Sequence, residues 1–344
     1  MFTTVPRKAE VADLKDIKEH LENRDASIGG LVLARSGLRD EVRHLSKVDN
    51  LRFLKDVSRQ WIIIVAAISI AVWSRHCATY VLTIIVIATR QHALGILMHD
   101  GTHYRLLSSR LWNDVICDIF CALPVGILTS RYRYEHLLHH RFLNTDKDPY
   151  WPEYERDADW HWPKKPLQAF GVLVRDLLGV GGRRMGPVLH RWSPWINHFS
   201  QQLSPPPLTL GERARVYGFF GVLFVFLTVT GSWLEFFLLW LLPLSTLTIM
   251  LVRIRTIGEH LAMPNEHELN ATRHTDGTRL EHLTISPFNI NYHIDHHLFP
   301  SVPYYNLPEL HQILLRNAHY CAHAKLNRTY LGFNNGLLGE IIRK

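Results

Sequence analysis

The chain has 344 residues, 47% of them hydrophobic, a formal net charge of +7, 22 histidines and four cysteines. Its apolar residues are bunched into runs, which points to membrane segments rather than a pair of soluble domains, and its basic residues follow those runs rather than any nucleic-acid-binding module. The cysteines Cys77, Cys117, Cys121 and Cys321 lack C-x-x-C spacing, so neither a disulfide framework nor an iron–sulfur cluster is implied, and Cys117 and Cys121 read as packing residues on one helix face.

In chain order, residues 1–59 read as a charged, helical, cytoplasmic N-terminal region broken at Gly29-Gly30, without the apolar stretch of a cleaved signal peptide. Apolar runs at Trp61–Trp73 and Tyr80–Met98 form a first helical hairpin, and runs at Val216–Val229 and Leu234–Val252 form a second. These are short of, or near, the ~20 residues that cross a bilayer, so some ends must extend into flanking polar sequence. The expected spans are about 60–75, 79–98, 216–231 and 233–252. Residues 111–128 are apolar but interrupted by Asn113, Asp114 and Asp118, and read as an interfacial or re-entrant helix. Arg90 and His92 stand near one end of the second span, where ionisable groups face protein or water rather than lipid. The stretch from Arg131 to Arg215 is rich in Arg, Lys, Trp and Pro, with Pro205-Pro206-Pro207 as a stiff lead-in to the second hairpin. The positive-inside rule places this stretch and the N-terminal region in the cytoplasm.

Three histidine clusters carry the chemistry: His99 and His103, then His136, His139 and His140, then His293, His296 and His297. On a helix, positions i, i+3 and i+4 share one face, so the imidazoles of each cluster can converge. Eight such ligands exceed one tetrahedral zinc site, and two metal ions are the simpler reading. Imidazole suits zinc, copper, nickel and iron alike, so ligand type does not name the metal. With four crossings, all three clusters share one aqueous face. A ligating imidazole commonly donates its second N–H to a carboxylate, which makes Asp100, Glu135, Glu259 and Asp295 candidate supports. Asp146 and Asp148 either join them or cap a turn.

The three boxes, their order and the paired spans resemble the membrane fatty acid desaturase and hydroxylase superfamily of non-haem di-iron enzymes, over roughly residues 60–315. Asn289–Pro308 is similar to the third-box region of acyl-lipid desaturases, and the three residues between His99 and His103 also match the acyl-lipid type, whereas acyl-CoA Δ9 desaturases have four. His293, not Gln, begins the third box, unlike front-end desaturases. The resemblance implies an all-α, multi-pass membrane protein with two hairpins beneath a cytoplasmic helical domain holding two irons. It divides the chain into residues 1–59, a desaturase domain at 60–315 and a C-terminal tail at 316–344. It also implies that the eight box histidines bind iron and that His260 is a ninth ligand, although Thr256 stands where acyl-CoA desaturases carry a metal-linked asparagine.

The activity so implied is O2-dependent introduction of a double bond into a lipid- or carrier-linked acyl chain, with the metal supplying the oxidant and the protein supplying geometry and exclusion of water. The same boxes serve hydroxylases and ketolases acting on a carotenoid, sphingolipid or small metabolite. No G-x-G-x-x-G fingerprint occurs, so electrons must come from an external ferredoxin-, rubredoxin- or cytochrome-b5-like donor, to which a basic surface would attract an acidic protein. A histidine-rich metal transporter would need ionisable or sulfur groups throughout the spans, which are apolar apart from Arg90 and His92. An intramembrane zinc protease lacks its H-E-x-x-H.

Overall fold

The computed structural model describes residues 38–181, 192–195, 206–265, 267–334 and 336–342. The Gly29-Gly30 break and most of the N-terminal region lie outside the described residues, as do Pro205 and part of the basic stretch. Helices dominate, beginning with α1 (Arg39–Leu45). The only strands among the described residues are β1 (His274–Thr275) and β2 (Leu326–Asn327), which pair in parallel.

Four helices are long and apolar enough to span a membrane: α2 (Asn50–Ser74), α3 (Cys77–Thr102), α8 (Leu210–Thr230) and α9 (Trp233–His260). Each runs past its apolar run at one or both ends, as the thickness argument requires. Local chemistry sets the ends. Asp49 caps α2 by accepting from the backbone N–H groups of Leu51 and Arg52, so that helix begins ten residues before the expected span. Arg75 closes it with a left-handed φ of 51°, and two residues later α3 begins, which makes the first hairpin tight. A Thr209–Glu212 capping box starts α8, and Gly231 at φ 69° ends it. The last span is irregular. A π turn at Phe237–Leu241 precedes Pro243, whose missing N–H and ring disturb the ladder.

Ile62, Val222 and Val229 stay exposed on the spans, an apolar surface suited to lipid. Polar groups are turned inward instead. Arg90 donates to Gln60 Oε1 at 2.7 Å and to the Leu283 carbonyl at 2.8 Å, while Trp61 stacks on Trp240 at 5.8 Å to join the hairpins.

Between the hairpins, α4 (Arg110–Cys117) runs through a π turn and a short 3-10 turn, then bends by 90° into α5 (Thr129–Phe142). Such a bend is that of either a broken span or a re-entrant element. Gly101 permits the close approach of α4 to α3, since a Cβ there would lie 2.5 Å from Cys117 Sγ. Asn113 ties the same corner by donating to the Gly101 carbonyl at 2.9 Å. Cys117 and Cys121 are both fully buried in this packing.

Two shorter helices, α6 (Trp151–Arg156) and α7 (Pro166–Leu177), cover the end of α9, where a fully buried Arg253–Asp176 ion pair joins α9 to α7. The chain beyond α9 adds α10 (Glu268–Ala271), α11 (Arg279–Thr284), α12 (His293–Leu298) and α13 (Leu307–Leu314). It ends in α14 (Ala318–His323) and α15 (Leu337–Ile341). The described residues 316–334 and 336–342, expected as a tail, lie against the body instead. Tyr320, Tyr330 and Leu337 are each 1% exposed or less, and Tyr330 packs so closely on Gly258 that a Cβ there would stand 2.8 Å from its ring. Short helices and a two-residue strand leave no periodic signal from which such docking could be read.

Candidate metal centre and cavity

Each histidine box sits on a helix end. His99 is in the last turn of α3 and His103 caps that helix. His136, His139 and His140 share one face of α5, and His293, His296 and His297 make up half of α12. His260 is the last residue of α9. The fold brings all nine together in two adjoining groups. One comprises His99, His103, His136, His140 and His296; the other gathers His139, His260 and His297, with His293 and Glu259 beside His260.

The Nε2 atoms of successive rings are close: His103 to His136 3.0 Å, His136 to His140 3.0 Å and His140 to His296 3.2 Å. In the second group, His260 to His293 is 2.8 Å and His293 to His297 is 3.1 Å. These contacts cannot all be hydrogen bonds. A ring nitrogen offers either one N–H or one lone pair, yet His136, His140 and His293 each meet two neighbours through a single atom. Two nitrogens bound to a common metal at about 2.1 Å and a right angle stand about 3 Å apart, which matches the spacing here. Moreover, His99 and His139 keep buried Nε2 atoms with no hydrogen-bond partner among the described residues. The donor set fits bound metal ions.

Electrostatics point the same way. Burial, reinforced by neighbouring imidazoles, pushes His296 down to about 3 and holds His293 and His297 well below the usual histidine range, with Arg255 adding to the effect at His296 and His293. The rings are therefore neutral, the form that binds metal. The same shifts set a pH dependence for protein stripped of metal. The unfolded chain takes up protons on these rings below about pH 6.5 while the folded chain does not. Stability is thus highest above that value and declines as pH falls from about 6.5 toward 3. Thermal melts of chelator-treated protein between pH 7.5 and 5 should show a falling midpoint on acidification, and a flat profile would mean the rings are hydrated.

The carboxylates expected to support these rings behave differently from one another. Asp100 Oδ1 is 3.6 Å from His99 Nδ1, too long for a hydrogen bond, and its other oxygen accepts from the Tyr304 backbone N–H at 2.8 Å. Glu135 accepts from Trp192 Nε1 at 2.9 Å. Asp295 is occupied by His311 Nδ1 at 2.8 Å and by the Tyr320 hydroxyl at 2.5 Å, so it anchors α12 from behind rather than orienting its own box. Glu259 lies 3.7 Å from His293 Nδ1 and accepts from Arg255 at 3.1 Å.

Asp148 is the carboxylate that engages a box histidine, with Oδ2 2.8 Å from His139 Nδ1. It also accepts from the backbone N–H groups of Asn144 and Tyr150, so it both caps a turn and orients an imidazole. Asp146 is exposed. Because asparagine keeps the turn-capping capacity and removes the charge, Asp148→Asn isolates the second role. Metal titration of this variant should show affinity reduced by about 10- to 100-fold, and wild-type affinity would leave Asp148 a turn residue only.

From the imidazoles a cavity of about 990 Å³ extends among the spans. His99, His136, His139, His260 and His293 line it at one end, while Val125, Phe220, Phe237, Leu238, Leu241 and Leu244 supply apolar walls. His92 also lines it and bonds the Ile285 carbonyl at 2.8 Å through Nε2. Sequence reasoning did not single out Tyr132, Tyr150 or Arg255, which are further wall residues. The signal for Arg255 was a cation in the last span, four residues before Glu259.

A multi-pass helical membrane protein with clustered imidazoles at one end of an apolar cavity belongs to the class of membrane oxidoreductases with a histidine-rich metal centre. The chain matches the fatty acid desaturase family over residues 75–332 and belongs to that family. It is 26% identical over 266 residues to a dihydrorhizobitoxine desaturase from Bradyrhizobium elkanii, covering 75% of this chain and 74% of that protein. It is 29% identical over 241 residues to an sn-1 oleoyl-lipid 12-desaturase from Synechocystis, covering 64% of this chain and 63% of the relative. A human sphingolipid delta(4)-desaturase/C4-monooxygenase is 27% identical over 226 residues, covering 64% and 61%.

Proposed function

We propose that the protein is an O2-dependent di-iron desaturase that introduces a double bond into an acyl chain, lipid- or carrier-linked, with electrons from an external donor. The observation that carries this reading is the convergence of nine imidazoles in two adjoining groups, five of which line an apolar cavity. His99, His103, His136, His140 and His296 would hold one iron and His139, His260, His293 and His297 the other. When bound, the iron pair supplies the oxidising power, drawn from O2, that no side chain possesses.

The protein's own contribution is placement. The apolar walls hold an alkyl chain against the imidazoles and exclude water, Asp148 fixes the tautomer of His139, and Asp295 with His311 and Tyr320 fixes α12. The desaturase domain in this reading is residues 60–315, and the basic segments support a centre on the cytoplasmic face. Hydroxylation or ketone formation on the same scaffold is the second reading, favoured by similarity to a relative named both desaturase and monooxygenase.

Mass spectrometry of lipids and polar metabolites from cells producing wild type or His296→Ala, with metal analysis of the purified protein, tests the assignment. Products two hydrogens lighter and about two irons per chain support a desaturase, and a gain of oxygen supports the second reading. Identical metabolites in both cell lines, or zinc in place of iron, would overturn both.

A further inference from the structure

Arg255 occupies an unusual place. It lies on the face of α9 formed by Thr248, Val252 and Glu259, all of which line the cavity, and its side chain is 15% exposed. A rise of about 1.5 Å per residue puts it about 7.5 Å along the helix axis from His260, close to the imidazole cluster. The guanidinium carries five N–H donors. Its bond to Glu259 is made through Nε alone, at 3.1 Å, and the Tyr132 hydroxyl lies against it. A guanidinium serving only to neutralise a carboxylate favours the two-bond fork, which is absent from this pair. By contrast, Gln91 on the same wall donates to the Trp240 carbonyl at 2.8 Å and accepts from Thr248 at 2.9 Å.

A purely alkyl substrate would strip water from this cation and return nothing. We infer that Arg255 binds an anionic oxygen group of the substrate inside the cavity, a carboxylate or phosphate a few bonds from the carbon that is oxidised. This deepens the desaturase reading and rests on it. The substrate class becomes an amphiphile whose anionic end enters the protein, rather than a chain whose headgroup stays at the membrane surface. Arg255 is then a specificity-determining residue, and Arg255→Lys keeps the charge but loses the planar fork.

The test uses purified holoprotein in detergent with octanoate, octyl phosphate, octanol and methyl octanoate as probes, read by ligand-induced shifts in thermal unfolding. At least one anion should bind wild type about tenfold or more tighter than octanol, in keeping with hydrogen bonds to a charged group. Preference for octanoate assigns a carboxylate, and preference for octyl phosphate assigns a phosphate. Arg255→Gln should lose the discrimination while still binding octanol, which shows that the variant is folded, and Arg255→Lys should fall between. Equal binding of anions and octanol to wild type, or discrimination retained by Arg255→Gln, overturns the inference. Product analysis separates it from the desaturase reading. Anion discrimination without any oxidised product sinks that reading alone, whereas equal oxidation of neutral acyl lipids by wild type and Arg255→Gln sinks the anion site alone.

Discussion

Replacement of His296 or His139 by alanine is expected to reduce turnover to background while the protein still inserts and folds its membrane helices. Both rings are 1% exposed, and neither lies in one of the four long apolar helices. His296 is the element of α12 that reaches the first group, with Nε2 3.2 Å from His140, and His139 is the element of α5 that reaches the second. Each substitution therefore removes a donor from a different group. Metal analysis should show loss of metal beyond what Asp148→Asn causes, because a ligand is deleted rather than reoriented. Glycosylation-tag mapping of the spans should remain unchanged. Full turnover in either variant would remove these residues from the metal centre.

The largest stability effect is expected from Asp176→Ala. Asp176 and Arg253 are both fully buried, Arg253 Nη2 donates to Asp176 Oδ1 at 3.1 Å, and the guanidinium stacks over Trp160 with its carbon 4.2 Å from the ring centroid. Removing the carboxylate strands a cation between α7 and α9, which costs about 3–5 kcal/mol. Arg253→Met with Asp176→Leu replaces the pair by apolar groups of similar volume and should recover most of that loss. Chemical denaturation in detergent measures both. If the single variant loses under ~1 kcal/mol, the pair is solvated and the packing of α7 on α9 looser than described.

How much of this was legible in the sequence varies from residue to residue. The boxes were legible because helical periodicity turns spacing directly into a shared face, and the spans because lipid requires long apolar runs. His260 was not, since a single histidine carries no period, and only the resemblance pointed to it. The carboxylates misled for a geometric reason. Asp100 and Asp295 adjoin box histidines in sequence, but neighbours on a helix point in different directions, so both serve groups elsewhere: the Tyr304 backbone and the His311 ring. Asp148, eight residues beyond the second box, reaches back across a turn, and an Asx turn looks the same in sequence whether or not a histidine stands behind it. The docked end of the chain was illegible because its contacts join residues far apart in sequence, such as Tyr330 with Gly258.

The C-terminal end of α9 is completed from downstream. Arg273, 1% exposed, donates to the carbonyls of Ile257 and Leu261 at 3.3 and 2.8 Å, and the strand that follows it is paired by Leu326–Asn327. The helix bearing His260 therefore has its last carbonyls capped by chain made after it, which is itself pinned by chain made later still. During synthesis the four spans leave the ribosome before the clasp. Insertion into the bilayer and closure of the imidazole cluster are thus separate events in time, and a nascent chain halted before β2 has its helices in place while the clasp that fixes His260 is still missing.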